Sequence, residues 1–258
     1  MSKLMIKNVE IGAGRPKICV SITGKNAKEL YENVGKLAGK PIDLIEWRAD
    51  YLNDRAFGVN IELDNCLVSI VKAMQENEME QPLLFTIRTK KEGGEREVTP
   101  EEYELVNEWA IAKEDIALID LELFMKESVV DRLLKKAKEG NTAVIMSNHD
   151  FCDTPDEDTL LNRLLSMKKK GADIAKIACM PKSRKDLIKI LSVTMRAEKL
   201  DIPVVTMAMS SVGVLSRMAG EIFGSAITFG CVGGASAPGQ VPVEDLQTIL
   251  ELVHRYHA

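Results

Sequence analysis

Short apolar runs alternate along the chain with longer amphipathic stretches. The runs are at residues 18–22, 42–47, 83–87, 116–121, 143–146, 174–178, 203–207 and 225–229. A run of about five residues has the length of one strand, and near-continuous apolarity is typical of strands buried on both faces of a parallel sheet. The pattern predicts eight parallel strands with helices between them.

The stretches between the runs carry helix start and stop signals. At 99–102, a capping threonine is followed by proline at the first helical position and glutamate at the third, and the Thr154-Pro155-Asp156-Glu157 segment repeats this arrangement. Ser183 precedes another amphipathic stretch. Gly140 and Gly171 follow the last periodic residues of their stretches and predict helix ends there.

Eight strand–helix units without a linker or a break in composition predict one closed (β/α)8 TIM barrel that spans residues 1–258 as a single domain. The preceding segment, 4–16, alternates in polarity and contains Gly12-Ala13-Gly14, which predicts an N-terminal β-hairpin capping the bottom of the barrel. A doubly wound open sheet is the rival architecture. It normally has fewer strands in this length, and no Gly-x-Gly-x-x-Gly follows a strand.

Composition narrows the classes of function. A net charge of −5 without a basic stripe argues against a nucleic-acid binder. No apolar run approaches the roughly 18 residues of a membrane span, and the N-terminus has no signal-peptide pattern. The five cysteines form no CxxC pair, so neither a disulfide framework nor a zinc site is expected. We therefore expect a cytoplasmic protein with no metal and no membrane or nucleic-acid partner.

Lys176 is the sharpest chemical signal, because it stands in an apolar predicted strand. Burying a cation there is costly, and the neutral amine that desolvation favours can attack a ketone. The structural alternative is a strand-end lysine that reaches water or pairs with a carboxylate. The pattern alone leaves both readings open.

His149 follows the preceding predicted strand, at 143–146, and is one of three histidines, the other two lying in the C-terminal tail. Histidine is the usual proton shuttle near neutral pH, although a buried histidine with satisfied hydrogen bonds is the plainer reading of one residue alone. Lysine and histidine at adjacent strand ends favour chemistry, because a barrel enzyme builds its active site there.

Further charged residues fall at the same predicted rim, and a structural ion-pair network is the alternative to a binding role. We expect the structural role for Asp50 and Asp120, and we expect Glu122 to belong to the network around His149. An arginine at the rim can clamp a carboxylate. The glycine-rich stretch 230–239 is either a mobile lid or an ordinary loop. The charged candidates are Glu46, Arg48, Asp50, Arg88, Glu92, Asp120, Glu122 and Arg217.

Taken together, these residues resemble the type I 3-dehydroquinate dehydratase family. The resemblance spans residues 21–240 in the family's order. Its blocks are EWRAD at 46–50, FTIR at 85–88 with KEGGE at 91–95, DLEL at 120–123 with VIMSNHD at 144–150, ADIAK at 172–176, and Phe229 with SAPGQ at 236–240.

The resemblance implies a reaction. The ketone of 3-dehydroquinate would condense with Lys176 as a Schiff base. His149 would remove a proton from the neighbouring carbon and then protonate the leaving hydroxyl, a syn elimination of water that gives 3-dehydroshikimate. Glu92 would hold and polarise His149. The pathway implied is aromatic amino-acid biosynthesis by way of shikimate.

The resemblance also implies a substrate-binding set, a homodimer and no cofactor. Three residues would bind the substrate carboxylate: Arg217, Ser236 and Gln240. Others would contact the substrate or lie just behind it: Ser21, Glu46, Arg48 and Arg88. Met207, Phe229 and Ala237 would form pocket walls, and Met209 is read either as wall or as core.

Two alternative functions remain at this point. A class I aldolase-type barrel enzyme would also use Lys176, but it would be expected to hold a phosphate on a backbone nest after the seventh and eighth strands. The corresponding region offers Arg217 and the 236–240 loop, which suit a carboxylate. A non-catalytic barrel that binds a small acid would need a purely structural reason for its lysine, histidine and glutamate.

Overall fold

Eight parallel strands form a closed barrel in the computed structural model, which describes residues 2–55, 57–234 and 237–257. The strands follow one another around the sheet in chain order, and the last strand pairs with the first. The ring closes where the amide of Ala226 donates to the carbonyl of Val204 at 2.8 Å. The barrel strands are β3 (Lys17–Ile22), β4 (Leu44–Arg48), β5 (Leu83–Thr86), β6 (Ile116–Glu122), β7 (Ala143–Asp150), β8 (Ile174–Cys179), β9 (Val204–Ala208) and β10 (Ile227–Gly230). The predicted TIM barrel is confirmed.

Helices lie between consecutive strands and cover the barrel. They are α1 (Ala27–Gly35), α2 (Asn60–Glu76), α3 (Pro100–Ile111), α4 (Glu127–Glu139), α5 (Glu157–Lys170), α6 (Arg184–Ala197), the short α7 (Val214–Met218) and α8 (Gly220–Phe223), and α9 (Val243–His257). Single 3-10 turns occur at Ala49–Tyr51, Lys90–Glu92, Glu198–Leu200 and Ser211–Gly213. Within the described ranges, none of the helices has the length and apolarity that crossing a membrane requires.

Most of the predicted helix signals are confirmed, and one is wrong. Thr99 caps α3 with a complete capping box, and Gly171 ends α5 in the left-handed conformation (φ 97°). Helix α5 does not begin with Thr154 as its cap, however. Its cap is Asp156, whose side chain accepts from the amide of Thr159, so Pro155 lies outside the helix. Both residues can cap a helix, and the sequence pattern did not separate them.

The segment before the barrel is the predicted hairpin. β1 (Leu4–Ile6) pairs antiparallel with β2 (Val9–Ile11). The buried side chains of Ile6 and Ile11 pack in one cluster with interior residues at the starts of barrel strands, among them Leu118 and Ile174. The hairpin therefore closes the bottom of the barrel, at the end opposite the strand carboxyl termini.

The barrel interior is stacked in layers, because every second side chain of a strand points inward. The lower layer is apolar. Two residues further along most strands, the inward side chain is polar, and this step places charged groups above an apolar floor. The floor includes Leu44, Leu84, Leu118, Ile145, Ile174 and Val205. The layer above it includes Glu46, Thr86, Asp120, Ser147, Lys176 and Met207.

Candidate active site

A cavity opens at the carboxyl ends of the strands, with about 600 Å³ of empty space that is partly open to solvent. Twelve of the thirteen predicted site residues line it, which brings together side chains from seven of the eight barrel units. They are Ser21, Glu46, Arg48, Arg88, Glu92, His149, Lys176, Met207, Arg217, Phe229, Ala237 and Gln240. The thirteenth, Ser236, lies outside the described residues.

Lys176 lies on the floor of this cavity and is 3% exposed. Its Nζ is 3.4 Å from Oδ2 of Asp120 and 3.9 Å from Oε1 of Glu46. The ring of Phe229 lies 4.3 Å from Nζ on another side. Lys176 therefore pairs with carboxylates, as the structural alternative expected, and it also faces the cavity, as a nucleophile must.

Arg88 is buried at the centre of an acidic cluster. Its guanidinium is 2.9 Å from Oδ1 of Asp120 and 3.0 Å from Oε1 of Glu122, and it also donates to Oγ of Ser147 at 3.0 Å. Burial alone would raise the pKa of Asp120, but the positive charges of Arg88 and Lys176 hold it below its ordinary value. Asp120 is therefore a fixed negative charge between two cations, as expected for a structural ion pair.

Glu46 and Arg48 point into the cavity from consecutive inward positions of β4. The carboxylate of Glu46 accepts from the hydroxyls of Ser21 and Thr86. Arg48 donates to both carboxylate oxygens of Asp50 at 2.7 Å, so Asp50 orients the arginine. The structure thus places Asp50 behind the cavity wall, in agreement with its expected structural role.

His149 and Glu92 form a hydrogen-bonded pair beside Lys176. Nδ1 of His149 lies 3.1 Å from Oε2 of Glu92, and the same oxygen accepts the backbone N–H of His149 at 2.8 Å. β6 pairs with β7 only as far as Ser147, so the backbone N–H of His149 lies beyond this pairing. With Nδ1 donating to the carboxylate, the lone pair of Nε2 is left for the cavity.

Burial sets the protonation of this pair. It raises the pKa of Glu92 to about 7, with Glu122 acting in the same direction and Arg88 opposing it. Burial also holds the pKa of His149 well below its ordinary value, and the positive charges of Arg88, Lys176 and Arg48 add to this effect. His149 is therefore neutral at neutral pH, the form in which imidazole can accept a proton.

Arg217 is a buried cation that enters the cavity from α7. Its guanidinium donates to the carbonyls of Phe229 at 3.3 Å and Pro238 at 3.1 Å. Across the described ranges no carboxylate pairs with it, and its Nε has no hydrogen-bond partner. Burial lowers its pKa to about 10, so it stays protonated at neutral pH. A cation in this state is a ready site for an anionic group.

The cavity wall also contains residues that were absent from the predicted site. They are Phe151, Gly93 and Ala178, and Met209, which the sequence left open as wall or core, lines the cavity with them. Phe151 packs against Gly93, where an added Cβ would lie 2.2 Å from the ring. Phe151 stands in a loop without periodicity, so only the position directly after the His149 block pointed to it.

Metal-binding side chains do not converge in this cavity. No three histidine, cysteine, aspartate or glutamate residues in the described part of the chain are arranged to hold a metal ion. The carboxylates of Glu46, Asp120 and Glu122 instead take hydroxyl, ammonium or guanidinium partners.

Comparison with known proteins decides the family. The sequence profile described as type I 3-dehydroquinase matches residues 18–257. The chain belongs to the type I 3-dehydroquinase family. A 3-dehydroquinate dehydratase of Listeria innocua is 43% identical over 259 residues, with 99% of each chain covered. The enzyme is thus a 3-dehydroquinate dehydratase, a hydro-lyase of the shikimate pathway.

Solved structures agree with this type I 3-dehydroquinase assignment. The enzyme from Clostridium difficile, solved with covalently modified comenic acid, superposes with a TM-score of 0.93 at 40% identity and covers 99% of this chain and 100% of its own. The Geobacillus kaustophilus enzyme gives a TM-score of 0.89 at 32% identity, with 100% and 98% covered. The aldolase-type and non-catalytic alternatives are therefore wrong.

Proposed function

We propose that this dehydratase works through a Schiff base on Lys176, with His149 as the proton shuttle. The observation that carries the proposal is the placement of the Lys176 amine on the cavity floor, beside a neutral histidine whose Nδ1 is bonded to Glu92. The two side chains come from adjacent strands, where Ser147 pairs with Lys176 and His149 with Ala178. His149 therefore stands one inward position above the amine.

In the first stage, the Lys176 amine adds to the ketone of 3-dehydroquinate and water leaves, which forms a protonated imine. The imine withdraws electrons and acidifies the neighbouring carbon. The carboxylates of Asp120 and Glu46, at 3.4 and 3.9 Å from Nζ, stabilise the positive charge of the imine. Burial strengthens that stabilisation, because little water screens it.

In the second stage, Nε2 of His149 takes a proton from the acidified carbon, and the electron pair moves into the imine to give an enamine. The enamine expels the hydroxyl group from the next carbon, and the imidazolium of His149 protonates it as water, a syn elimination if one group serves both steps. Water then hydrolyses the conjugated imine, which releases 3-dehydroshikimate and restores the Lys176 amine.

Arg217 is the proposed anchor for the substrate carboxylate. Its guanidinium is buried in the cavity wall without an acidic partner in the described structure, and a carboxylate can bind such a guanidinium through two parallel hydrogen bonds. Gln240 lines the same part of the proposed pocket, and we assign it and Ser236 to the same carboxylate. Ser21, Arg48 and Arg88 are the proposed polar contacts or supports, and Met207, Phe229 and Ala237 the walls.

The covalent relative supports this mechanism. The Clostridium difficile enzyme was solved with covalently modified comenic acid, which indicates that a dehydratase of this fold can bond to a small acid. The geometry around Lys176 gives this chain a buried amine at which such a bond can form.

Two variants test the mechanism together. Lys176→Ala should lose essentially all turnover and keep its fold, because Asp120 retains Arg88 and Ser147 as partners. His149→Ala should still form the covalent adduct but turn over about 10²–10⁴-fold more slowly, since a general acid–base residue contributes that much. Turnover and borohydride-trapped adduct are measured for both. Normal activity of Lys176→Ala, or failure of His149→Ala to form adduct, would contradict the proposal.

We also propose that the chain acts as a single catalytic domain in a cytoplasmic homodimer. The support is the family resemblance, together with five free cysteines, of which only Cys152 is exposed. Free thiols suit a reducing compartment. Sedimentation equilibrium should give twice the mass of the chain, and a monomeric mass would remove the dimer from the proposal.

A further inference from the structure

A chain of hydrogen bonds leads from the helix layer into the Glu92–His149 pair. Asn148 lies on β7 between two residues that face the barrel interior, Ser147 and His149, so its side chain points toward the helices. Its Oδ1 accepts from Nη1 of Arg163, on α5, at 2.7 Å. Its Nδ2 donates to Oε1 of Glu92 at 3.1 Å.

The arginine fixes which way the Asn148 amide faces. An arginine side chain has donors only, so it can be satisfied by the amide oxygen and not by the amide nitrogen. Asn148 must therefore present its NH₂ group to Glu92. If the amide rotated by half a turn, its oxygen would face the Glu92 carboxylate, and two acceptors would repel each other.

Arg163 is itself held in place from two sides. Its guanidinium lies 5.4 Å from the ring centre of Phe124, and its Nη1 is 3.9 Å from Oδ2 of Asp150. Asp150 is in turn fixed by the backbone N–H groups of Cys152 and Asp153. Arg163 does not line the substrate cavity, so any influence on catalysis must be indirect, and Asn148 is its hydrogen-bonded link to Glu92.

We propose that Arg163 is a positioning residue for the dehydration: it orients the Asn148 amide, which in turn keeps Glu92 ionised and aligned on Nδ1 of His149. The inference rests on the proposed roles of Glu92 and His149. It assigns to a residue outside the cavity a part in setting the proton shuttle.

The charges around Glu92 make the hydrogen bond from Asn148 to Glu92 important. Burial and Glu122 raise the pKa of Glu92, while Arg88, the Asn148 amide and the backbone N–H of His149 lower it. Lys176 and Arg48 act on the other partner, His149. Since the pKa of Glu92 already stands at about 7, the loss of one donor moves it through the working pH. Glu92 would then be protonated, and a neutral carboxyl group stabilises the positive charge that His149 gains as a base far less than a carboxylate does.

The test compares pH profiles of kcat/KM. Arg163→Met keeps the apolar length of the side chain and removes the donor. We expect the acid limb to move up by about one pH unit, because a hydrogen bond to a charged group has about that effect. Activity at pH 9 should return to the level of the unmodified enzyme, and Arg163→Lys, which keeps a cationic donor, should restore most of the original profile.

The matched control is Arg132→Met, which removes an exposed arginine on α4. Arg132 pairs with Glu104 and lies outside the hydrogen-bond chain to Glu92. Any of three results would overturn the inference. The acid limb of Arg163→Met could stay where it is, or the activity of that variant could fall equally at every pH. The acid limb of Arg132→Met could also move by the same amount.

Failure of the proposed mechanism is recognised separately. Glu92→Gln should abolish the acid limb if Glu92 sets it. If Glu92→Gln leaves the limb where it was, the proposed role of Glu92 fails. If Glu92→Gln abolishes the limb and Arg163→Met does not move it, the mechanism stands and only the positioning role of Arg163 is refuted.

Discussion

At the scale of single residues, the pKa of each buried carboxyl group in the site depends on the balance between burial and the neighbouring positive charges. Asp120 is buried but kept ionised by Arg88 and Lys176, whereas Glu92 is buried with weaker compensation and titrates at about pH 7. Two buried carboxyl groups that both pair with Arg88 thus differ in protonation. The difference fits the proposed roles, in which Asp120 stabilises positive charge and Glu92 belongs to the proton-transfer pair.

This difference predicts the pH dependence of the reaction. Below pH 7 Glu92 gains a proton and no longer offers a negative charge to stabilise the imidazolium of His149, so kcat/KM should fall with a half-maximum near pH 7. His149 titrates far lower and contributes no limb there. A measured profile that stays flat between pH 5 and pH 8 would contradict the assignment.

The free energy of unfolding should depend on the protonation of Glu92 in the opposite direction from activity, which rises with pH. Its pKa is raised on folding from its ordinary 4.5 to about 7, so the folded state holds more protons in that window. The free energy of unfolding therefore decreases as pH rises through the window. Glu92→Gln has no charge to bury, and its melting temperature should exceed that of the unmodified enzyme at pH 8 by more than at pH 4.5.

At the scale of elements, the sequence predicted the barrel better than it predicted strand ends. The run at 143–146 predicted the start of β7, but the strand continues to Asp150. Its last residues are polar and look like loop, yet their backbone pairs with Ile177, Ala178 and Cys179 on β8. Hydrophobic periodicity detects burial in apolar surroundings, and here the strand runs on into a polar cavity.

The same limit applies to contacts between loops. His149 and Glu92 are 57 positions apart, and the family resemblance, rather than any local pattern, placed them together. The packing of Phe151 on Gly93 and the link from Arg163 through Asn148 to Glu92 had no sequence signal. Such contacts depend on three-dimensional loop paths, which residue spacing does not encode.

The loop carrying Glu92 gives a prediction at this scale. Gly93 has φ 84°, and a Cβ there would overlap the Phe151 ring. Gly93→Ala should displace both Glu92 and Phe151 and reduce kcat/KM at least tenfold, a loss of about 1.4 kcal/mol in transition-state stabilisation. The variant is assayed alongside its thermal melting curve.

Gly171 supplies the matched control. It also has a left-handed φ, 97°, but an added Cβ would meet nothing within 4 Å. Gly171→Ala should cost roughly 1 kcal/mol of stability through backbone strain and leave kcat/KM unchanged. Equal activity losses in both variants would show that strain, not displacement of Glu92, explains the first.

At the scale of the whole molecule, the hairpin that stabilises the fold and the cavity proposed to hold the substrate lie at opposite ends of one barrel. The hairpin closes the bottom with Ile6 and Ile11, while the substrate cavity opens at the strand carboxyl ends. Between them lies the apolar floor formed by the inward residues that precede Glu46, Asp120 and Lys176 by two positions. The floor keeps water from reaching the charged layer from below.

This separation predicts that the two ends respond independently to mutation. Ile11 is completely buried in the hairpin. Ile11→Ala should lower the free energy of unfolding by roughly 2–5 kcal/mol, the usual cost of a cavity in a core. Its kcat/KM below the melting transition should match that of the unmodified enzyme. A large fall in kcat/KM of the folded variant would mean that the hairpin supports the site directly.

The central claim is that substrate becomes covalently bonded to Lys176. The most direct measurement is the intact mass of the protein after incubation with 3-dehydroquinate, with and without borohydride, followed by peptide mapping. The account predicts a mass increase only with borohydride, on the peptide that contains Lys176. Substrate consumed at the normal rate without any reduced adduct, or an adduct on another lysine, would contradict it.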